Sequence, residues 1–177
     1  RKDYRRDSGG AGKHRGGLGQ VMEISSRENA AFGIHASFER VHYPARGRDG
    51  GHAGATGQIR LGGGDVMRPK GFQVIPAGER LIVEMPGGGG IGNPLTRSIE
   101  QVARDVSLGL VSAEAAAQSY GVCLDKTLHV DYDATALLRG YSPQSAKFSR
   151  DQTKLAALTV SQHRVLAVAE LAVGDWP

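Results

Sequence analysis

Two glycine-rich segments have the residue types and spacing that ligand binding requires, and the first is DSGGAGKHRGGLG at residues 7–19. Its glycines can present several backbone N–H groups to one anion, and Lys13, His14 and Arg15 add positive charge beside them. The pair Gly12 and Lys13 matches the end of a P-loop, but His14 stands where that motif requires Ser or Thr. The segment therefore indicates either an anion site or a structural turn into the first strand, and glycine's commonest use favours the turn.

The second segment is GGGGIG at residues 87–92, in which three glycines satisfy the GxGxxG spacing of dinucleotide-binding loops. A predicted strand precedes it, as that motif requires. However, Asn93 and Pro94 intervene before the next helix, and no parallel strand follows to complete a βαβ unit. With four consecutive glycines such a match is nearly automatic, so the spacing does not indicate a dinucleotide site.

Other chemically active residue types are scattered along the chain. The six histidines form no HExxH motif or i, i+4 pair, and no GxSxG nucleophile elbow is present. Cys123 lies in an apolar stretch, which favours a buried structural thiol over a nucleophile. Glu84 and Asp105 have no partner evident in the sequence. These residues alone predict neither a catalytic centre nor a metal site.

The secondary structure predicted from the sequence differs between the first and second parts of the chain. Residues 1–92 predict a glycine-rich antiparallel β module, since short apolar runs alternate with turn residues. Residues 46–54 are too polar and rich in glycine for regular structure. Strands are expected at residues 21–24, 31–37, 40–43, 58–61 and 80–85.

Helix signals dominate the chain after Gly92. Ser98 with Gln101 predicts a helix that ends at Gly109, Ser112 predicts a second helix up to Gly121, and Asp133 predicts a third before Gly140. Residues 93–140 are therefore expected to form a small helical hairpin region, and residues 141–177 a linker with a helical tail. The predicted class is α+β.

Composition excludes several classes of protein. The 26 glycines have no Gly-X-Y period, which excludes collagen, and no apolar stretch approaches the roughly 18 residues of a membrane span. The net charge of +4 lies within residues 1–20, and no RRM or KH signature accompanies it, so no nucleic-acid partner is expected. The single cysteine suits a reducing compartment, so a cytoplasmic location is expected.

Three segments together resemble the C-terminal part of the hydantoinase B/5-oxoprolinase family. They are DSGGAGKHRGGLG (residues 7–19), IPAGERLIVEMPGGGGIGNPLTR (residues 75–97) and VARDVSLGLVSAEAAAQSYGVCLD (residues 102–125). The family includes N-methylhydantoinase B subunits and related subunits of acetone and acetophenone carboxylases. The resemblance runs from about residue 4 to residue 140. Ile91 and Asn93 depart from it, because the family commonly has Tyr and Asp there, although Asn93 can still cap a turn.

The resemblance implies an ATP-dependent hydrolase of cyclic amides of the hydantoin or 5-oxoproline type. An A-type subunit would use ATP and Mg²⁺ to phosphorylate the carbonyl oxygen of the substrate, and a B-type subunit would then complete the reaction. The chain would be a C-terminal segment of a B-type subunit or a split subunit in a hetero-oligomer. A divalent metal would belong to the N-terminal portion of such a subunit, which is absent here, and no cofactor would bind this segment.

Two alternatives to this hydrolase stay open. One is a subunit of an acetone- or acetophenone-type carboxylase, and the other is a non-catalytic assembly module that docks its helical tail on other subunits. If the chain belongs to the hydrolase or to the carboxylase, Arg15 is expected to bind an anion, and glycine N–H groups are expected to donate hydrogen bonds to substrate or partner. The expected substrate- or partner-binding residues are Asp7, Ser8, Gly9, Gly10, Arg15, Gly87, Gly88, Gly89, Gly90 and Gly92.

Overall fold

The computed structural model of the chain describes residues 1–140. Its strands are β1 (Lys2–Tyr4), β2 (Gln20–Ser25), β3 (Phe32–Ser37), β4 (Gln58–Leu61), β5 (Lys70–Ile75), β6 (Arg80–Glu84), β7 (Cys123–Leu124) and β8 (Val130–Asp131). Its helices are a 3₁₀ turn (Pro94–Thr96), α1 (Ile99–Ser107), α2 (Ala113–Tyr120) and α3 (Tyr132–Leu138). The predicted tail at residues 141–177 lies outside the described residues, and the division at residues 92 and 140 stays a prediction.

A four-stranded antiparallel sheet holds the first apolar core. Its order is β1-β2-β6-β4, with Val83 of β6 opposite Met22 and Ile59. The consecutive residues Leu81, Ile82 and Val83 are all buried, as expected for a central strand with both faces covered. The predicted strands at 21–24, 58–61 and 80–85 are confirmed to within a residue or two.

A two-stranded sheet, β3 with β5, packs beside the first. Phe32 pairs with Ile75, which is fully buried against Ile59, Leu81 and Val83. The sequence did not predict β5, because Gly71 (φ +92°) interrupts its pattern and Phe72 and Val74 face solvent. The strand expected at residues 40–43 is wrong: Arg40 has a left-handed backbone (φ +57°), and no strand forms there.

Three glycine-rich segments lie side by side at one end of the sheets. We call residues 7–19, 45–57 and 86–92 the glycine core. Their backbones touch, since Gly10 N–H donates to the Gly88 carbonyl (2.8 Å), and His52 N–H donates to the Ala11 carbonyl (2.7 Å). The segment around residues 46–54 contains no helix or extended strand, as expected, yet its backbone is held by its neighbours.

The helices begin at the expected caps with one exception. Ser98 accepts from Gln101 N–H (3.4 Å), and Ser112 accepts from Ala115 N–H (3.0 Å). The third helix begins after Asp131, not Asp133 as predicted, because Asp131 accepts from Ala134 N–H (3.0 Å). Asp133 lies in the first turn, where a carboxylate also complements the helix dipole. Asn93 caps the 3₁₀ turn, as expected, by accepting from Leu95 N–H (3.0 Å).

A second apolar core joins the helices to the glycine core. Its buried members are Ala11, Val102, Val106, Val111, Ala116, Tyr120 and Val122. Ala11 belongs to the first glycine-rich segment, so α1 and α2 pack directly on that segment. The predicted α+β class, with antiparallel sheets followed by helices, is confirmed. Within residues 1–140, no helix has the length and apolar character needed to cross a membrane.

Candidate functional site

The structure brings the two sequence-predicted glycine segments into direct contact. A side chain on Gly16 would collide with the backbone of Gly88, and one on Gly87 would collide with the carbonyl of Ser8. These residues are about seventy positions apart in the chain, so the contact explains why both segments need glycine: only a bare backbone fits at such an approach.

Several glycine N–H groups of the second segment donate hydrogen bonds within the glycine core. Gly88 N–H donates to the Gly17 carbonyl (2.9 Å), and Gly90 N–H donates to the His52 carbonyl (2.9 Å). Gly92 N–H likewise donates to the Arg48 carbonyl (3.0 Å). Those bonds order the loops, and the expected donation to a bound anion stays a prediction.

Asp7 and Ser8 tie the first glycine segment to its surroundings. Asp7 Oδ1 accepts from Ser112 N–H (2.8 Å), the residue that caps α2. Ser8 is 1% exposed, and its hydroxyl donates to the Arg5 carbonyl (2.6 Å) and accepts from Gly19 N–H (2.8 Å). Both side chains therefore use their polar atoms on this chain's own backbone.

Arg15 belongs to a largely buried ionic cluster that the sequence did not reveal. Asp105 Oδ2 accepts from Arg15 Nε (3.1 Å) and from Arg97 Nη2 (3.0 Å). Arg97 Nη1 also donates to the Lys13 carbonyl (3.0 Å), while its buried Nε has no partner within residues 1–140. The side chains are 10–16% exposed. We call Arg15, Asp105 and Arg97 the arginine cluster; it fastens the glycine core to α1.

Asp105 and Glu84, for which the sequence shows no partner, both form ion pairs in the structure. Glu84 forms ion pairs with Arg5 (3.1 Å) and Arg60 (3.6 Å). The Arg15–Asp105 pair spans 90 positions, and no local pattern reports such a separation. Arg97 and Asp105 are only eight positions apart, but Arg97 precedes α1 and Asp105 lies in its last turn, so no helical spacing links them in the sequence.

A small cavity of about 130 Å³ lies between the glycine core and α2. Asp7, Gly9, Gly10, His52 and Tyr120 are among the residues that line it. Burial raises the pKa of Tyr120 above its ordinary value, while the charges of Arg97 and Arg15 oppose that shift. The phenol is therefore a neutral hydrogen-bonding group at physiological pH.

A larger, open groove of about 760 Å³ lies on the glycine core. Its walls carry three exposed arginines (Arg40, Arg46 and Arg48), and its floor includes Gly87, Gly88 and Gly89. Of the sequence-predicted residues, Asp7, Gly9 and Gly10 thus line the small cavity, and Gly87–Gly89 line the groove. Arg15 appears among the lining residues of neither.

The described residues bring arginine side chains and glycine backbone together, and anion binding there stays a prediction. No group of three or more His, Cys, Asp or Glu side chains in residues 1–140 is arranged to hold a metal ion. The side chains of residues 1–140 therefore do not fit a metal ion.

Comparison with known proteins identifies the family. The family model described as hydantoinase B/oxoprolinase matches residues 1–94. The chain belongs to the hydantoinase B/oxoprolinase family. A putative D-/L-hydantoinase of Pseudomonas sp. (strain NS671) has a B subunit that is 30% identical over 145 residues, covering 78% of this chain and 24% of that protein.

Two solved structures agree with this hydantoinase B/oxoprolinase assignment in fold. The ATP-dependent caprolactamase from Pseudomonas jessenii has a TM-score of 0.67 and 30% identity, covering 79% of this chain and 25% of that chain. A nucleotide-free acetone carboxylase structure has a TM-score of 0.53 and 20% identity, covering 86% of this chain and 25% of that chain. This match is a likeness of fold alone. The chain thus spans about a quarter of the length of each of these three relatives.

Proposed function

We propose that the chain forms the C-terminal part of a B-type subunit in an ATP-dependent hydrolase of cyclic amides, acting with an ATP-using A-type subunit. The observation that carries the proposal is the family match over residues 1–94, together with 30% identity to a caprolactamase structure described as ATP-dependent. Caprolactam, hydantoin and 5-oxoproline share an amide within a ring. The cytoplasmic location expected from the single Cys123 belongs to the same proposal.

The chemistry of an unstrained amide explains why such a hydrolase needs ATP. Resonance makes the amide carbonyl a poor electrophile, and phosphorylation of its oxygen creates a good leaving group. ATP and Mg²⁺ belong in this proposal to the A-type subunit, where the metal neutralises nucleotide charge. A further divalent metal belongs to the portion of the B-type subunit that this chain does not include.

The contribution of the described residues is to hold a binding surface in place. The arginine cluster fixes residues 7–19 against α1, and hydrogen bonds fix residues 86–92 against that segment. In the proposal, the residues of the substrate- or partner-binding region are Asp7, Ser8, Gly9, Gly10, Arg15, Gly87, Gly88, Gly89, Gly90 and Gly92. Ser8, Gly10, Gly87 and Gly90 are buried, so they support the surface from beneath.

Arg15→Ala in the complete enzyme tests that surface. Loss of the guanidinium is expected to raise KM or lower kcat by about tenfold, a change worth about 1.4 kcal/mol in the transition state. The matched control is Arg27→Ala, since Arg27 is exposed and forms no ion pair within residues 1–140. Urea midpoints of both variants separate a binding effect from loss of structure. Unchanged kcat and KM in Arg15→Ala would contradict the assigned role.

Substrate-stimulated ATP turnover tests the function itself. The complex that contains this chain is isolated and incubated with hydantoin, 5-oxoproline or caprolactam. The release of ADP and the formation of ring-opened product are both measured for each substrate. A cyclic amide is expected to stimulate ADP release in proportion to product. Stimulation only by acetone or acetophenone with bicarbonate would instead support the carboxylase alternative. Stimulation by neither class would contradict both and favour an assembly role.

A further inference from the structure

The open groove on the glycine core carries positive charge without compensation. Arg40, Arg46 and Arg48 line it, and none of the groove residues is acidic. Within residues 1–140, the three guanidinium groups form no ion pair and no hydrogen bond. Arg5, Arg15, Arg60 and Arg97, by contrast, each have a carboxylate partner. Those four arginines are largely buried or half-buried and paired, whereas the three groove arginines are exposed to solvent.

The backbone beneath the three arginines is fixed. Arg48 N–H donates to the Gly90 carbonyl (3.0 Å), and its own carbonyl accepts from Gly92 N–H (3.0 Å). The Arg46 carbonyl lies against Gly89 so closely that a side chain on that glycine would collide with it. The Arg40 carbonyl accepts from Gly57 N–H (2.9 Å). Three cationic side chains thus start from positions that the glycine core holds, which lowers the entropy cost of binding a partner.

The form of the groove selects the class of ligand. Small-molecule sites are enclosed and mostly apolar, whereas this groove is open and walled by exposed arginines. A planar guanidinium matches the geometry of a carboxylate and can donate two hydrogen bonds to it. Gly47 and Gly89, which are half-buried in the groove, donate no backbone hydrogen bond within residues 1–140, so they add donors to the same surface.

We propose that this arginine groove is the docking surface for an acidic segment of a partner protein. The segment carries several Asp or Glu side chains that pair with Arg40, Arg46 and Arg48. Charge complementarity is the main argument, and the length of the relatives supports it. This chain spans about a quarter of them, so each of these relatives contains much more polypeptide than the matching part. The inference requires a protein partner and does not depend on the proposed catalytic activity.

Binding of a fluorescein-labelled deca-glutamate peptide to the full 177-residue chain tests the groove. Fluorescence anisotropy at low and moderate salt gives the dissociation constant, which is expected to rise with salt as the charges are screened. The test variant is R40Q/R46Q/R48Q. The matched control is R27Q/R68Q/K126Q, which removes the same charge from exposed positions outside the groove. The first is expected to weaken binding about tenfold and the second less than about twofold.

The remaining outcomes each decide against the proposal. Equal weakening by both triple variants would mean that net charge alone attracts the peptide. Stronger arginine-dependent binding of tripolyphosphate or of an oligothymidine would assign the groove to a phosphate-bearing ligand or a nucleic acid. Circular dichroism verifies that each variant is folded. The single variant Arg46→Gln gives the same test with less change to the protein, and it is expected to weaken binding about two- to fivefold.

Discussion

Gly87 lies so close to the backbone of Ser8 that one added methyl group must separate two segments of the glycine core. A Cβ on Gly87 would fall well inside 3.0 Å of the Ser8 carbonyl oxygen, a distance that real Cβ atoms essentially never show. The obstacle is main chain, which cannot rotate away as a flexible side chain can. Gly87→Ala therefore requires a displacement on the order of 1 Å in a close-packed region.

The cost of Gly87→Ala follows from what that displacement strains. Overpacking of a well-packed site costs about 1–3 kcal/mol. The bonds at risk are Gly87 N–H to the Ala55 carbonyl (3.1 Å) and Ala55 N–H to the Ser8 carbonyl (2.8 Å). Each is worth about 0.5–1.5 kcal/mol, so the free energy of unfolding is expected to fall by about 2–6 kcal/mol in total.

The assay is urea unfolding of the full chain, followed by far-ultraviolet circular dichroism. Gly17→Ala is the matched control, because Gly17 belongs to the same core, is exposed, and has no atom within 4 Å of a notional Cβ. That variant is expected to be unchanged or stabilised by about 0.4–1 kcal/mol. An unfolding free energy of Gly87→Ala within about 0.5 kcal/mol of the wild type would refute the close backbone packing.

Two further predictions concern the arginine cluster and the phenol beside it. Asp105→Ala leaves Arg15 and Arg97 largely buried without their carboxylate, so the unfolding free energy is expected to fall by about 3–5 kcal/mol; a loss below about 1 kcal/mol would contradict the cluster's structural role. Burial raises the pKa of Tyr120 above 10.0, so the difference in phenolate absorbance between wild type and Tyr120→Phe is expected to appear above that pH. Because the neutral phenol is favoured in the folded chain, its contribution to stability is complete below the unfolded pKa and is lost as pH rises through the folded pKa. A midpoint at or below pH 10.0 would contradict the burial of this side chain.

Elements with strong local signals were predictable from the sequence. The apolar run of Arg80–Glu84 predicts a central strand, and Ser98 and Ser112 predict the starts of α1 and α2. The third helix has two acidic residues near its start, Asp131 and Asp133, and local pattern did not distinguish the cap from the first-turn residue. Such signals act over a few residues, which is the range at which sequence patterns are informative.

The missed features depend on contacts between distant parts of the chain. Residues 46–54 look like a loop because their glycines carry no pattern. In the structure, Gly51 and Gly54 lie against the backbone of Gly87–Gly90, and that contact is not visible in the sequence. The Arg15–Asp105 pair and the groove arginines likewise depend on how three separated segments align. The two glycine motifs could be named from the sequence, but their mutual packing could not, because backbone-to-backbone contact leaves no hydrophobic period.

Native mass spectrometry of the assembly that contains this chain, paired with denaturing intact mass, tests whether the chain is part of a B-type subunit that acts with an ATP-using subunit. The chain is expected within a longer polypeptide or together with a larger ATP-binding subunit, since its relatives include a putative hydantoinase B subunit and an ATP-dependent caprolactamase. Addition of ATP should then shift the mass of the assembly by the bound nucleotide. A free protein of 18.7 kDa that has no partner and binds no nucleotide would contradict this assignment.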